Sequence, residues 1–349
     1  MELVIIDAAG SPREMGRAHG EQARDVIAIG LERWREELAG AGKDADRLWK
    51  GLSRESGFRG AASRWAPGLL DEIEGIAEGA NADSDAVFAT NCLDEAWWWG
   101  AKGPGCSSVA VADQGGKSVI GQNMDLDTWM DNTQVALRLQ PDDGPQQVLM
   151  SRAGVVGLCG ANSAGIGLVV NTLDQLPVAV DGLPVALVLR LLMAQTSLDD
   201  VEPLLRGMRH ASGQAYTLAA ESGVVGFEAG GDFVASYRND PERPGALWHT
   251  NHPLSEGNHE VTFDPDDWAT GSSQPRLARV DDALADLSTA DDLVTLLSDS
   301  DAGICMYPGR WRDDGFTFSS IVMEIDAPPS VRMTAGPPDR SEWVDVPFE

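Results

Sequence analysis

The 349-residue chain is short of several things at once. Only 6% of its residues are aromatic, four are cysteine, and lysine occurs only at Lys43, Lys50, Lys102 and Lys117, the remaining basic residues being arginine. No apolar run approaches the roughly 20 residues of a membrane span; the run from Leu183 to Ala194 is broken by Pro184 and Arg190. The start, Met1-Glu2-Leu3-Val4-Ile5-Ile6-Asp7, has no basic segment and too short an apolar stretch for a signal peptide. A cytoplasmic protein without a membrane partner is therefore expected. Cys92, Cys106, Cys159 and Cys305 are widely spaced with no C-x-x-C pair, which argues against a disulfide framework or a thiolate metal site. Basic residues are outnumbered, 26 against 55 acidic ones, for a net charge of −29. Such a surface repels phosphate backbones and anionic lipid, so no nucleic-acid partner is expected either.

What is present is enough for a real core: 43% of the residues are apolar. Up to about residue 100 the pattern is mostly helical. Ser11-Pro12-Arg13-Glu14 has a capping hydroxyl, a first-turn proline and an acid three places on. The helical spacing runs through Ala23, Val26, Ile27, Ile29, Leu31 and Trp34 to Gly40-Ala41-Gly42; further helices are predicted from Pro67 and from Val87 to Trp99. Lys102-Gly103-Pro104-Gly105 then breaks the pattern. Beyond it come hairpins: Cys106–Ala112 with Ser118–Gly121 about a Gln114-Gly115-Gly116 turn, Gln134–Leu139 with Gln147–Met150, and a pair around Asn162-Ser163-Ala164-Gly165. Helices are expected over 184–195, 197–208 and, as a pair, 274–298, with strands over 216–250, 316–325 and 331–335. No internal repeat is present. Hairpins with inserted helix pairs predict an α+β fold of stacked sheets with helices outside.

Three of the cysteines sit in apolar or mixed surroundings and read as buried small hydrophobes. Cys106 differs, because it stands where the helical leader meets the first strand. No histidine lies near it, so a nucleophilic role needs another base. Cutting the bond before it would free an α-amine titrating near 7.7–8.0, able to take a proton from a thiol near 8.5. Gly105, without a Cβ, lets the preceding bond adopt a strained geometry that exposes its carbonyl.

At these residues the chain resembles the acyl-coenzyme A:6-aminopenicillanic acid acyltransferase family of self-cleaving N-terminal-nucleophile (Ntn) hydrolases. Gly10-Ser11-Pro12-Arg13-Glu14-Met15-Gly16-Arg17-Ala18-His19-Gly20-Glu21-Gln22 is similar to its leader signature, and Gly105-Cys106-Ser107-Ser108 to its processing site. Gly121-Gln122-Asn123-Met124-Asp125, the run from Asn162 to Thr172, Thr250-Asn251-His252 and Ser273-Gln274-Pro275-Arg276 follow in the family's order, with Met124 where a Trp is usual. The resemblance implies an αββα sandwich of two stacked, mainly antiparallel sheets flanked by helices, divided into a leader of residues 1–105 and a catalytic body of residues 106–349. It implies Cys106 as nucleophile in both self-cleavage and catalysis, and Asp125 as acceptor for the freed amine. Asn251, helped by the Asn171 backbone N–H, would donate to the oxyanion, and Arg276 would favour the thiolate.

Each of these residues has a plainer reading. Asp125 fits a turn acid at a strand end, Asn251 a cap before Pro253, and Asn171 a loop residue. Arg276 fits an exposed helix residue paired with Asp281 or Glu242. Arg310 and Arg312 resist assignment to the family's C-terminal Ser/Arg element. Trp97-Trp98-Trp99 fits core packing, or the wall of an acyl pocket if the leader stays bound. The expected activity is hydrolysis, in preference to acyl transfer, of an amide bond in a small N-acyl or aminoacyl compound, through a thioester on Cys106. No cofactor is expected; the leader is expected to stay as a subunit, and a homo-oligomer is left open. Two rivals remain: an unprocessed small-molecule-binding protein of the same fold, and a metal hydrolase using His249, His252 and His259.

Overall fold

A computed structural model describes residues 2–97, 105–112, 117–255, 268–309 and 313–348. The chain begins not with a helix but with a strand, β1 (Val4–Gly10). It continues through α1 (Pro12–Gln22), α2 (Arg24–Gly40), α3 (Ala45–Lys50), α4 (Phe58–Trp65), α5 (Pro67–Ala80), α6 (Ser84–Thr90) and α7 (Leu93–Trp97). The predicted capping box starts α1, where Glu14 accepts from the Ser11 N–H at 3.0 Å. The single helix expected up to Gly40 is two, parted at Ala23.

The body follows as β2 (Gly105–Ala112), β3 (Ser118–Asp127), β4 (Gln134–Pro141), β5 (Gln147–Arg152), β6 (Cys159–Asn162) and β7 (Ile166–Thr172). Next come α8 (Val185–Met193), α9 (Val201–Gly207), β8 (His210–Ala220), β9 (Gly223–Gly231), β10 (Phe233–Ser236) and β11 (Ala246–His249). The chain ends with α10 (Trp268–Ala283), α11 (Ala290–Leu297), β12 (Gly315–Ile325), β13 (Ser330–Met333) and β14 (Val344–Asp345). The turn at 114–116, Pro104, Trp98, Trp99, His259, Arg310 and Arg312 lie outside the described residues.

The strands form two sheets, ordered β1-β4-β5-β6-β7-β8-β9-β10 and β11-β2-β3-β12-β13-β14. Among the described residues every pairing between these strands is antiparallel except one: β1 lies parallel to β4, at the edge of the larger sheet. The sheets stack face to face, β2, β3 and β12 against β6, β7 and β8, with α8 on the outer face of one and α10 and α11 on the outer face of the other. This is the αββα sandwich. Its inner strands are covered on both faces, so β5 and β7 are buried at every residue and lack the polar alternation of a half-solvated sheet.

The leader packs as a tight unit against this body. Gly16 and Gly20 of α1 face Gly75 and Gly79 of α5 so closely that a Cβ on any of them would fall 1.9–2.4 Å from a backbone oxygen of the other helix. Arg190 of α8 donates to both carboxylate oxygens of Glu72 on α5, at 2.6 and 3.0 Å, in a fully buried pair.

Candidate active site

Strand register delivers the first groups. Gly105 lies opposite Asp125 and Cys106 opposite Met124 on β3. Asp125 in turn faces Thr317 of β12, whose hydroxyl donates to Asp125 Oδ1 at 2.6 Å. On its other side β2 pairs with β11, Ser108 opposite His249, so the chain leaving β11 carries Asn251 past Cys106. The Cys106 N–H donates to Asn251 Oδ1 at 2.8 Å. Arg276, one turn inside α10 from Ser272, donates through Nη1 to the Cys106 carbonyl and at 2.9 Å to Ser107 Oγ, and through Nη2 at 2.9 Å to Asn251 Oδ1. Both main-chain polar atoms of Cys106 are thus held by one Asn251–Arg276 pair. Arg276 is 1% exposed, which overturns its reading as a surface residue paired with Asp281 or Glu242.

Burial, with the nearby Asp125 carboxylate adding to it, pushes the Cys106 thiol up to about 12, against the opposing pull of the Asp125 backbone N–H and Arg276. With Gly105 and Cys106 joined in one strand, the sulfur is held as a thiol.

Asn171 is not a loop residue. It sits within β7, accepts from Ser108 Oγ at 2.5 Å and donates to the His249 carbonyl at 3.3 Å, tying the two sheets together. The Asn251 amide nitrogen donates to the Thr172 carbonyl at 3.0 Å; the oxyanion role implied for it would require that bond to be released.

The two histidines of the rival metal site that lie among the described residues are engaged elsewhere. His249 Nε2 is 2.9 Å from Glu228 Oε1. Burial pushes the Glu228 carboxyl up, but hydrogen bonds from His249 and Ser255 outweigh it and bring it to about 2. His252 Nδ1 is 2.7 Å from Ser273 Oγ, and burial lowers it to about 4. Among the described residues no group of three or more His, Cys, Asp or Glu side chains is placed to hold a metal ion.

Cys106 opens onto a cavity of about 40 Å³. The leader supplies part of its wall through Thr90, Asn91, Leu93 and Asp94; Leu158, Val170, Val185 and Leu189 give the body's side an apolar lining. Asp94 Oδ2 accepts from Thr172 Oγ1 and Gln214 Nε2, both at 2.9 Å. Beside it Glu95 accepts from Ser212 Oγ at 2.7 Å and the Val185 N–H at 3.0 Å; burial first, then Asp94, pushes Glu95 up to about 8. Sequence reasoning missed Thr317, Thr172 and Asp94, which reach the site only through pairings far apart in the chain. Ser273, like Thr172, lay within a recognised segment, but its contacts to Asn251 and His252 are made only by the fold.

The family profile described as acyl-coenzyme A:6-aminopenicillanic acid acyl-transferase matches residues 111–328. The 40 kDa form of acyl-coenzyme A:6-aminopenicillanic-acid-acyltransferase from Emericella nidulans is 26% identical over 333 residues, covering 92% of this chain and 90% of that one. Among solved structures, penicillin V acylase from Agrobacterium tumefaciens superposes with a TM-score of 0.46 at 11% identity, covering 69% of this chain and 86% of its own. A variant of the conjugated bile acid hydrolase from Clostridium perfringens gives a TM-score of 0.42 at 12% identity, with 70% and 97% covered. The profile takes in most of the chain, and on that match the chain belongs to the acyl-coenzyme A:6-aminopenicillanic acid acyl-transferase family.

Proposed function

We propose that the chain severs itself before Cys106 and then hydrolyses an amide bond of a small N-acyl or aminoacyl compound through a thioester on that cysteine. The observation that carries this reading is the hold of Asn251 and Arg276 on the nitrogen and carbonyl of Cys106, a fixed frame around one residue of one strand. In the first step the Cys106 sulfur attacks the Gly105 carbonyl, the peptide nitrogen leaves as an amine, and water hydrolyses the resulting thioester. The leader then ends in a carboxylate at residue 105 and stays docked as a subunit.

The new α-amine inherits the Asn251 Oδ1 acceptor and lies beside Asp125. Its ordinary range, near 7.7–8.0, lets it take the thiol proton at neutral pH. As an ammonium it adds a second cation next to Arg276, which favours the thiolate and opposes the burial that holds the uncut thiol high. In turnover Cys106 attacks the substrate carbonyl and the departing amine takes its proton from the α-ammonium. Water then releases the acid. The Asn251 amide, turned from Thr172, is the side-chain donor for the oxyanion; losing such a donor costs about 10²–10³ in rate.

Hydrolysis is favoured over transfer because water is always present, whereas a second amine needs a shaped acceptor site. Intact-mass analysis of the purified protein tests the first step. The expected result is two chains of 105 and 244 residues, with Cys106→Ala giving one chain of 349 and no amide turnover. A wild type that stays whole supports the rival, an unprocessed binding protein, and turnover that survives Cys106→Ala refutes the nucleophile.

A further inference from the structure

The cavity at Cys106 has a second charged wall residue that the reaction does not use. Arg152, the last residue of β5, lines the same cavity and is 2% exposed. Its Nε and Nη1 find no hydrogen-bond partner among the described residues. Its guanidinium lies over Trp129, 4.8 Å from the ring centroid, and Trp129 stacks in turn on Trp34 of the leader. That stack fixes the plane of the guanidinium and leaves its edges as donors. Burial alone lowers Arg152, to about 10, and no carboxylate among the described residues offsets it. A buried cation left with such donors is costly to keep, and no part of the mechanism above requires it.

We propose that Arg152 is a specificity-determining residue that receives a carboxylate at the far end of the substrate's acyl chain, so that the preferred substrates are amides of short ω-carboxy acids. The planar fork of an arginine matches a carboxylate through paired N–H···O bonds. The apolar side chains that line the cavity together with Cys106 and Arg152 suit a short methylene chain. The inference rests on Cys106 being the acylated residue.

The test compares succinyl-p-nitroanilide with butyryl-p-nitroanilide, equal in chain length and differing in the terminal carboxylate. Wild type is expected to favour the succinyl compound at least tenfold in kcat/KM. Arg152→Met is expected to reverse that ratio, and Arg152→Lys to restore part of it. Arg152→Met is also expected to melt at a higher temperature than wild type, since an unpartnered buried charge is removed; a structural arginine would do the opposite. A wild-type ratio at or below one, a ratio unmoved by Arg152→Met, or a lower melting temperature in that variant overturns the proposal.

Calorimetric titration of succinate into wild type and Arg152→Met gives a readout independent of turnover. Binding lost in the variant supports the carboxylate site, and equal or absent binding in both overturns it. Survival of anilide hydrolysis in Cys106→Ala would instead remove the nucleophile reading, whatever the substrate ratio.

Discussion

A buried histidine outside the lining of the Cys106 cavity carries the clearest pH signature. His19, on α1, accepts from the Gly154 N–H at 3.0 Å and so must be neutral. Burial first, and Arg190 second, lower it to about 3. An unfolded histidine takes a proton below about 6.5, so between that value and about 3 the unfolded chain binds a proton the folded one refuses. Stability therefore falls as pH drops through this window, by about 1.4 kcal/mol per unit, or about 2 kcal/mol by pH 5. Urea titrations at pH 7 and pH 5 should show this loss, and His19→Gln, which can still accept from Gly154, should flatten it. An acid limb as steep in the variant as in wild type would exclude His19 as its source. At the same scale Arg276 and Asn251 illustrate how a single contact could serve two states, because the oxygen that accepts from the Cys106 peptide N–H would also accept from the amine that the proposed cut creates.

At the scale of elements the leader depends on backbone approach. The α1–α5 contact brings Gly16 and Gly20 against Gly75 and Gly79, with no side chain between. A methyl group at Gly75 would fall 2.4 Å from the Arg13 carbonyl oxygen, too near for either helix to absorb without moving. Gly75→Ala should cost about 2–3 kcal/mol by chemical denaturation. Gly40→Ala, at a position where a Cβ meets nothing within 4 Å, should be stability-neutral or better; equal effects at the two sites would refute the packing argument.

The glycine spacing was visible in the residues, but a four-residue glycine interval does not name its partner. The same gap separates what could be read from what could not across the fold. Hairpins announced themselves through local turn chemistry, and β2 to β7 formed where predicted. β1 did not, because a parallel pairing with β4 across some 130 residues leaves no local trace. The helices α3 and α4 are short and lack the long periodicity that marks α2. At the site, Cys106, Asp125, Asn251 and Arg276 were within reach through their motifs. Arg152 was not, because its isolation is a property of the packed interior and not of its neighbours in the chain.

For the molecule as a whole, the leader is built into the body and not laid upon it. β1 is a strand of the larger sheet, Glu72 closes a buried pair with Arg190, Glu95 accepts from Ser212 and Val185, and the Asn91 side chain bonds both Gly154 and Val156. A cut before Cys106 breaks none of these. The two pieces should therefore elute together on gel filtration in native buffer and part only in denaturant; a 244-residue body that emerges alone and keeps its activity would show that the leader serves assembly only. No described helix is long and apolar enough to cross a membrane.

The parallel strand at the sheet edge has a further consequence for the history of the molecule. While the chain is whole, that strand finds its place by a search within one polymer, at a rate indifferent to dilution. If the chain is severed as proposed, the same docking becomes an encounter between two bodies, so recovery after denaturation would slow as the solution is thinned. The native arrangement would then be reached with ease only once, at synthesis, and held afterwards by the height of the barrier to leaving it.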